Sequence, residues 1–323
     1  ACFGEDDVRI FNREGIPIFD PVDEEGNFMQ DMEFIAGLNV MEANRPISKK
    51  LKEKGLMFRQ ETVEHSYPFC WRTDTPLIYK PISTWFVKVE SFRDRMVEHN
   101  RKVHWVPGHI RDGRFGKWLE NARDWAISRN RFWGTPLPIW KSEDGDTLCF
   151  GSVEELENAS GTKVPDLHKQ HVDQLVIEHQ GKTYRRVTEV LDCWFESGSM
   201  PYGQQHYPFE NKEVFEANFP ANFICEGLDQ TRGWFYTLVV IAQALFDKPA
   251  FHNCVVNGLI LAEDGKKMSK RLKNYPDPTK MLDQYGADAI RLYMLNSPAV
   301  RGEDLRFSEK GLVETTRTLL LPL

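Results

Sequence analysis

Short apolar runs alternate with longer amphipathic segments in the second half of the chain. The runs TEVLDCWF (188–195), ANFICEG (221–227) and FHNCVVNGLILA (251–262) have the length of strands. Between and after them, QTRGWFYTLVVIAQALFD (230–247) and PTKMLDQYGADAIRLYMLN (278–296) have the apolar spacing of helices. Strands that alternate with helices predict a parallel, doubly wound α/β sheet.

The first part of the chain, up to about residue 80, is less regular. Turn-forming residues recur every few positions in GIPIFDPVDEEGNF (15–28), and this predicts irregular, β-rich structure. PISKKLKEKGLMF (46–58) has the spacing of a helix, which we expect to end at Gly55. The change in pattern near residue 80 predicts a domain boundary there.

The pattern changes again between residues 81 and 185. STWFVKVESFRDRMVEHN (83–100) predicts a strand that leads into a helix. RFGKWLENARDWAISRNRFWGTPLPIW (114–140) predicts a helix followed by a basic, aromatic strand or loop. Residues 141–185 are polar and contain an acidic helix, SVEELENAS (152–160). We interpret 141–185 as an insertion, to which we assign no chemistry.

Composition narrows the class of protein. At 323 residues and 37.6 kDa the chain can form two domains, and no apolar run approaches the roughly 18 residues of a membrane helix. The six cysteines form no CxxC pair, which argues against a zinc ribbon and favours a reducing cytoplasm. A net charge of −7 argues against a general nucleic-acid coat protein. The first residues, ACFGEDDVRIF, and the apolar last ones lead us to expect a fragment.

One segment, DGKKMSKRLKNYPDP (264–278), departs from the acidic balance with five positive charges between Lys266 and Lys273. Such a run is often only a solvated face, and it can also be a nucleic-acid patch. Gly265 and the prolines that follow the run indicate instead a loop between a strand and a helix. Lysines in a loop beside a nucleotide crevice can close on the phosphates of the nucleotide. There they stabilise the negative charge that develops when a phosphate group leaves.

The carboxyl end of each of the three predicted strands carries unusual residues. They are Asp192, Trp194 and Glu196 at the first, Glu226–Gln230 at the second, and Asn257–Gly258 at the third. Ligands of open α/β sheets bind beyond the carboxyl ends of the strands, so we expect these three ends to converge on one site. Polar strand ends are also common where no ligand binds, and that alternative stays open at this point.

The segment EGLDQTRGW (226–234) carries the clearest chemistry. Glu226 and Asp229 are carboxylates that suit an ammonium group or ribose hydroxyls, and Gly227 lets a planar ring approach the backbone. Gln230 can both donate and accept, and Trp234 lies four residues on, on the same helix face. The competing interpretation makes the two carboxylates ordinary acids near a helix N-terminus.

Four segments together resemble a known family. KMSKR (267–271) resembles the KMSKS signature of class I aminoacyl-tRNA synthetases. It follows NARDWAISRNRFWGTPLPIW, DCWFESGSMPY and EGLDQTRGWFYTL in the family's order. The combination is similar to isoleucyl-tRNA synthetases, specifically of the eukaryotic cytoplasmic type, over essentially all 323 residues.

This resemblance implies an activity and a domain plan. The family joins isoleucine and ATP, which enters with Mg²⁺, to give isoleucyl-adenylate, and then transfers the acyl group to tRNA(Ile). It implies a Rossmann-like catalytic domain at 81–310, part of an inserted β-barrel editing domain at 1–80, and the start of a helical anticodon-binding region at 311–323. No zinc-binding set of cysteines appears in the sequence and we expect no membrane contact, while association with other synthetases stays open.

The resemblance also implies roles at the strand ends. Glu226 is similar to a residue that binds the aminoacyl-adenylate near its ammonium group, and Gly227 and Asp229 match ribose contacts. Gln230 matches a neighbouring adenylate contact, and Asn257–Gly258 fall where the family contacts adenine. Each of these roles is an expectation for the structure.

Four further residues receive roles in the same way. Trp194 and Trp234 resemble aromatic walls of the amino-acid pocket, although both could simply be core residues. Lys267 and Lys270 match the signature lysines, and Lys270 in particular is expected to contact the ATP phosphates. Asp7 resembles the last acidic residue of the editing motif, and its alternative interpretation is a turn carboxylate.

Some departures from the family's motifs leave other functions open. No HIGH tetrapeptide is present, Arg271 replaces the usual last Ser of the signature, and the Thr-rich and His parts of the editing motif are missing. We therefore expect this piece to be inactive by itself. The alternatives are a non-catalytic RNA-binding relative and a ligase specific for valine or leucine.

Overall fold

The computed structural model describes residues 2–70, 73–82, 84–269 and 272–322. The chain folds as two compact units, unit 1 (1–83) and unit 2 (84–323). No helix in these described stretches has the length and apolar character that crossing a membrane requires.

Unit 1 is largely irregular and contains helices α1 (Glu5–Glu14) and α2 (Val40–Glu53) with a 3₁₀ turn at Glu33–Ile35. The β-rich expectation is wrong for residues 2–70 and 73–82, where isolated bridges replace strands. Helix α2 ends at Glu53, Lys54 is its C-cap, and Gly55 follows with a left-handed φ of +68°. The predicted end of the helix at Gly55 is therefore confirmed. The helix begins earlier than predicted because Asn39 caps its N-terminus. That unit 1 is part of an editing domain stays a prediction.

Unit 2 contains the remaining elements. Its strands are β1 (Phe86–Val87), β2 (His104–Val106), β3 (Trp125–Ala126), β4 (Ser128–Arg129), β5 (Ile139–Ser142), β6 (Thr147–Cys149), β7 (Val176–His179), β8 (Lys182–Arg186), β9 (Val190–Leu191), β10 (Ala221–Gly227), β11 (Phe251–Asn257), β12 (Ile260–Leu261) and β13 (Leu305–Arg306). Its helices are α3 (Arg93–Arg101), α4 (His109–Asp112), α5 (Arg114–Glu120), α6 (Val153–Ser160), α7 (Lys169–Val172), α8 (Cys193–Gly203), α9 (Lys212–Asn218), α10 (Trp234–Phe246), α11 (Pro278–Tyr285), α12 (Ala287–Leu295) and α13 (Glu309–Thr315), with 3₁₀ turns at Val89–Ser91, Leu228–Arg232 and Pro298–Arg301 and a π-helical turn at Thr316–Leu320.

The centre of unit 2 is a parallel sheet in the order β10-β11-β2. Helix α10 is buried from Phe235 to Gln243 because it is apolar around most of its circumference. With α3 and α5 it covers one face of the sheet, and Trp105, Phe115, Phe235 and Phe251 fill the core between them. The predicted parallel α/β class is confirmed, and β10 has the predicted bounds.

Three predicted elements differ from the structure. The strand predicted at 188–195 is wrong beyond Leu191, because Asp192 caps α8 and the chain turns helical. Strand β9 also lies outside the parallel sheet and pairs antiparallel with β4. The run at 251–262 divides into β11 and β12, which belong to different sheets, and Gly286, with a φ of +80°, divides the helix predicted at 278–296.

The polar insertion predicted at 141–185 has its own small fold. Its strands form an antiparallel sheet in the order β6-β5-β8-β7, and α6 packs on it. Trp140, Leu156, Ile177 and Tyr184 form a separate core there. At the other end of unit 2, Leu312 of α13 is fully buried in a cluster with α11 and α12. That 311–323 begins an anticodon-binding region stays a prediction.

Candidate active site

Two of the three predicted strand ends lie side by side. In the parallel pair β10–β11 the Cα partners are Glu226 with Val256 and Gly227 with Asn257. The segment Glu226–Gly227 therefore lies next to Asn257–Gly258 at the carboxyl edge of the sheet. This is the position at which open α/β sheets bind ligands.

The 3₁₀ turn that follows β10 is fixed from within. Thr231 is completely buried, and its hydroxyl donates to the carbonyl of Leu228 at 2.7 Å. The same oxygen accepts from Nε of Arg114 at 3.0 Å. This bridge holds the turn that carries Asp229 and Gln230. No local sequence pattern indicates a role for Arg114, because it lies 117 residues from Thr231.

The two predicted pocket tryptophans meet where α8 packs against α10. The backbone N–H of Trp234 donates to Oε1 of Gln230 at 2.9 Å, and its indole N–H donates to the carbonyl of Ser197 at 3.1 Å. The ring of Trp194 lies over Gly233, where an added Cβ would be 3.2 Å from Cη2 of the indole. Trp194 is 41% exposed, so it can form a wall of an open pocket.

Asp192 holds the start of α8, and with it Trp194, in place. It is only 4% exposed; Oδ1 accepts from the backbone N–H of Trp194 at 3.3 Å, and Oδ2 accepts from Arg129 at 2.7 Å. Burial, together with the neighbouring Asp192 charge, raises the pKa of the Cys193 thiol. The expectation that Asp192 ends a strand of the parallel sheet is wrong, yet α8 still brings Trp194 to the site.

The carboxylates of Glu226 and Asp229 remain available to a ligand. Both are exposed, and neither forms an ion pair within the described part of unit 2. The Asp229 side chain turns back over Gly227, where an added Cβ would be 2.8 Å from Oδ1. The edge of the sheet thus presents two carboxylates that can accept from ammonium or hydroxyl groups.

Gly258 is in close contact with the backbone of a distant segment, a contact that no sequence pattern indicates. An added Cβ would stand 1.7 Å from the carbonyl oxygen of Glu303. The N–H of Gly258 donates to the carbonyl of Ala299 at 2.8 Å, and the N–H of Leu259 donates to Oδ1 of Asp304 at 3.2 Å. Residues 299–304 therefore fix the end of β11.

The basic segment begins as a tight turn. The N–H of Ala262 donates to the carbonyl of Lys266 at 2.9 Å, and Gly265 has a φ of +81°. Asn274 then donates to the carbonyl of Lys267 at 3.2 Å and accepts from the N–H of Ser269 at 2.9 Å. The backbone of Lys267 is held, while its side chain is exposed and has no ion pair among the described residues. Lys270 and Arg271 lie outside the described residues.

Asp7 belongs to unit 1. It is exposed in the first turn of α1, and its carboxylate lies close to Gly4, where an added Cβ would be 2.8 Å from Oδ2. A carboxylate there is favoured by the helix dipole, so it is a helical rather than a turn residue. No cluster of three or more acidic, His or Cys side chains that could hold a metal occurs within 2–70, 73–82, 84–269 and 272–322.

Comparisons with known proteins identify the family of the chain. The sequence model of the family described as tRNA synthetases class I (I, L, M and V) matches residues 26–307. The chain is 58% identical over 322 residues to proteins named isoleucine–tRNA ligase from Chlamydia abortus and Protochlamydia amoebophila. Each alignment covers the whole of this chain, and the chain spans 31% of the length of each relative. Both relatives are bacterial, so they do not test the likeness to the eukaryotic type.

One solved structure supports the fold. The Mycobacterium tuberculosis methionyl-tRNA synthetase in complex with methionyl-adenylate aligns with a TM-score of 0.53 and 20% identity. The alignment covers 79% of this chain and 41% of that one. At this identity the likeness concerns the Rossmann-like fold alone.

Proposed function

The chain belongs to the class I tRNA synthetase family, and from that premise we propose that it forms part of the catalytic centre of an isoleucine–tRNA ligase. The register of β10 and β11 carries this proposal, because it places Glu226–Gly227 beside Asn257–Gly258. The names of relatives that are 57% and 58% identical support isoleucine as the amino acid.

The first step would make isoleucyl-adenylate. A carboxylate oxygen of isoleucine attacks the α-phosphorus of ATP, and the bond to the bridging oxygen of pyrophosphate breaks. Magnesium would enter as Mg–ATP, on the phosphates of the substrate. Lys267, whose ammonium group has no ion pair among the described residues, would neutralise charge on the leaving pyrophosphate. Lys270 takes the same role by its place in the signature.

The sheet edge would bind the rest of the adenylate. Glu226 accepts from the substrate ammonium group, and Asp229 accepts from ribose hydroxyls beside Gly227. The side-chain oxygen of Gln230 already accepts from the backbone N–H of Trp234, so its amide nitrogen is the atom that donates to the ligand. Asn257–Gly258 contact adenine, and the indoles of Trp194 and Trp234 enclose the branched side chain.

The second step would use tRNA(Ile). A hydroxyl of its terminal ribose attacks the carbonyl carbon of the adenylate, gives up its proton, and AMP leaves. A pocket separates isoleucine from valine by only about 1–3 kcal/mol for one methylene, so the whole protein needs hydrolytic editing. We place the reaction in the cytoplasm, which the free thiols of Cys149, Cys193 and Cys225 support.

Amino-acid-dependent exchange between ATP and pyrophosphate tests the first step in the whole protein. We expect isoleucine to give the highest kcat/KM, and a preference for valine or leucine would refute the assignment. Lys267→Ala should slow exchange by on the order of 10²-fold, as for other lost charge-stabilising groups. The matched variant Lys266→Ala, whose ammonium lies 3.6 Å from Asp264, should keep it. Equal rates in both variants would remove Lys267 from the activation step, and no exchange in the unmodified protein would favour a non-catalytic relative.

A further inference from the structure

Strand β12 has a basic residue opposite it on each side. In the parallel pair with β13 the Cα partner of Leu261 is Arg306, and an isolated antiparallel bridge joins Leu261 to Lys267. The carbonyl of Leu261 accepts from β13, whereas the next N–H, of Ala262, donates to the basic segment, so the two partners lie on opposite sides of β12. Side chains of directly paired residues point to the same face of a sheet. Lys267 and Arg306 therefore project from one face, with their backbones about 10 Å apart.

The backbone of Arg306 is fixed to the chain that leaves β11. The N–H of Leu305 donates to the carbonyl of Leu259 at 2.9 Å. On the other side of Arg306, the N–H of Phe307 donates to the carbonyl of Leu261, also at 2.9 Å. These bonds continue the close contact between residues 299–304 and the end of β11. The position of Arg306 is therefore set relative to the strand end that carries the proposed adenine contacts.

The guanidinium of Arg306 lies over the turn that begins the basic segment. A Cβ added at Gly265 would be 3.0 Å from Nε, 3.1 Å from Cζ and 3.2 Å from Nη2 of Arg306. Gly265 also has a φ of +81°, so the lack of a side chain there serves both the turn and the close approach of the guanidinium. Arg306 thus reaches from β13 toward the loop that carries Lys267.

The charge of Arg306 is not neutralised by any acid within 84–269 and 272–322, and its side chain is exposed. Asp264, in the same turn, is engaged by Lys266, whose ammonium lies 3.6 Å away and whose backbone N–H donates to Oδ1 at 3.0 Å. Lys267, as described above, also has no ion pair. Two such cations on one face of a fixed sheet suit a ligand with several negative charges. A guanidinium can bind phosphate oxygens through two parallel hydrogen bonds, and an ammonium group acts as a point charge.

We propose that Arg306 is a further phosphate-binding residue of the activation step and that it binds the pyrophosphate part of ATP together with Lys267. Both side chains are long, so they can converge on a group between them. When the bond from the α-phosphorus to the bridging oxygen breaks, its electron pair leaves with pyrophosphate, and the guanidinium stabilises the charge that develops there. The inference rests on the proposed function, since it adds one contact to the same site.

Variants of the whole protein test Arg306 in isoleucine-dependent exchange between ATP and pyrophosphate. Arg306→Gln should lower kcat/KM for ATP and raise the KM for pyrophosphate, each by about 10- to 100-fold, as for one lost charge-assisted hydrogen bond. The KM for isoleucine should stay unchanged. Arg306→Lys keeps the charge without the planar fork and should recover part of the loss. Arg291→Gln is the matched control, because this exposed arginine of α12 pairs with Asp288 at 3.0 Å, and it should retain all three values.

AMP distinguishes a phosphate contact from a structural role of Arg306. It contains the adenine, ribose and α-phosphate of ATP without the leaving pyrophosphate, so Arg306→Gln should leave its inhibition constant in the exchange reaction unchanged. Equal weakening of AMP and ATP would show that the variant disturbs the adenine site and would refute the inference. An unchanged kcat/KM for ATP would refute it as well, and both outcomes leave the proposed function intact. Absence of exchange in the unmodified protein would refute the proposed function and this inference with it.

Discussion

The absence of a side chain at residue 258 decides how closely β11 can approach the loop after α12. The carbonyl oxygen and carbon of Glu303 lie 1.7 and 2.3 Å from where a Cβ would stand, and backbone atoms cannot move aside as a flexible side chain can. Gly258→Ala should therefore cost about 1–3 kcal/mol of local stability, the usual cost of overpacking. Faster amide hydrogen exchange in β11 and β12 would show this loss.

Gly108→Ala is the matched control, because its nearest neighbour to an added Cβ is 3.7 Å away, at ordinary contact distance. It should leave exchange in β11 unchanged. Unchanged protection in Gly258→Ala would contradict the close packing described at the end of β11.

Helices α8 and α10 set the distance between the two pocket tryptophans. They touch at Gly198, where an added Cβ would be 2.9 Å from Cδ1 of Ile241 and 3.1 Å from Cβ of Thr237. Gly198→Ala should push the helices apart and move Trp194 away from Gly233. We expect the KM for isoleucine in the exchange reaction to rise by on the order of tenfold, comparable to a poorly fitting methylene, with the KM for ATP unchanged.

Gly203→Ala on the same helix provides the control, since nothing lies within 4 Å of the added carbon. It should keep both KM values and, with alanine's higher helix propensity, stabilise α8 by up to about 1 kcal/mol. Equal increases in the KM for isoleucine and for ATP would show that Gly198→Ala disturbs the whole domain rather than the amino-acid pocket.

Elements that are determined by local pattern could be predicted, and those that depend on distant partners could not. Strand β10 has its predicted bounds because apolar residues and turn signals delimit it within seven residues. The apolar run before Asp192 predicts a strand end there, although an Asp before a helix is also a typical N-cap. The Arg114–Thr231 bridge joins residues 117 positions apart, so no local pattern could indicate it.

The residues predicted for activation and the residue predicted for editing lie in different compact units. Every residue proposed for the adenylate site lies in unit 2, whereas Asp7 lies in unit 1. Candidate site residues could be proposed in unit 2 because several motifs coincide with the ends of β10 and β11, and their roles stay predictions. In unit 1 the regular spacing at 46–58 predicts the end of α2, whereas the turn residues of 15–28 fix no strand, which is why the β-rich expectation is wrong there.

This division predicts that activation and editing can be separated by substitution in the whole protein. Asp7→Ala should leave isoleucine-dependent exchange unchanged and slow hydrolysis of valyl-tRNA(Ile) by roughly 10- to 100-fold, since a charge-assisted hydrogen bond contributes about 1.5–3 kcal/mol. The neighbouring Asp6, whose carboxylate lies 3.0 Å from Arg9, supplies the control, and Asp6→Ala should retain both reactions. Normal hydrolysis in Asp7→Ala would remove Asp7 from the editing site. Slower exchange in that variant would instead show that unit 1 supports the adenylate site, contrary to the division argued here.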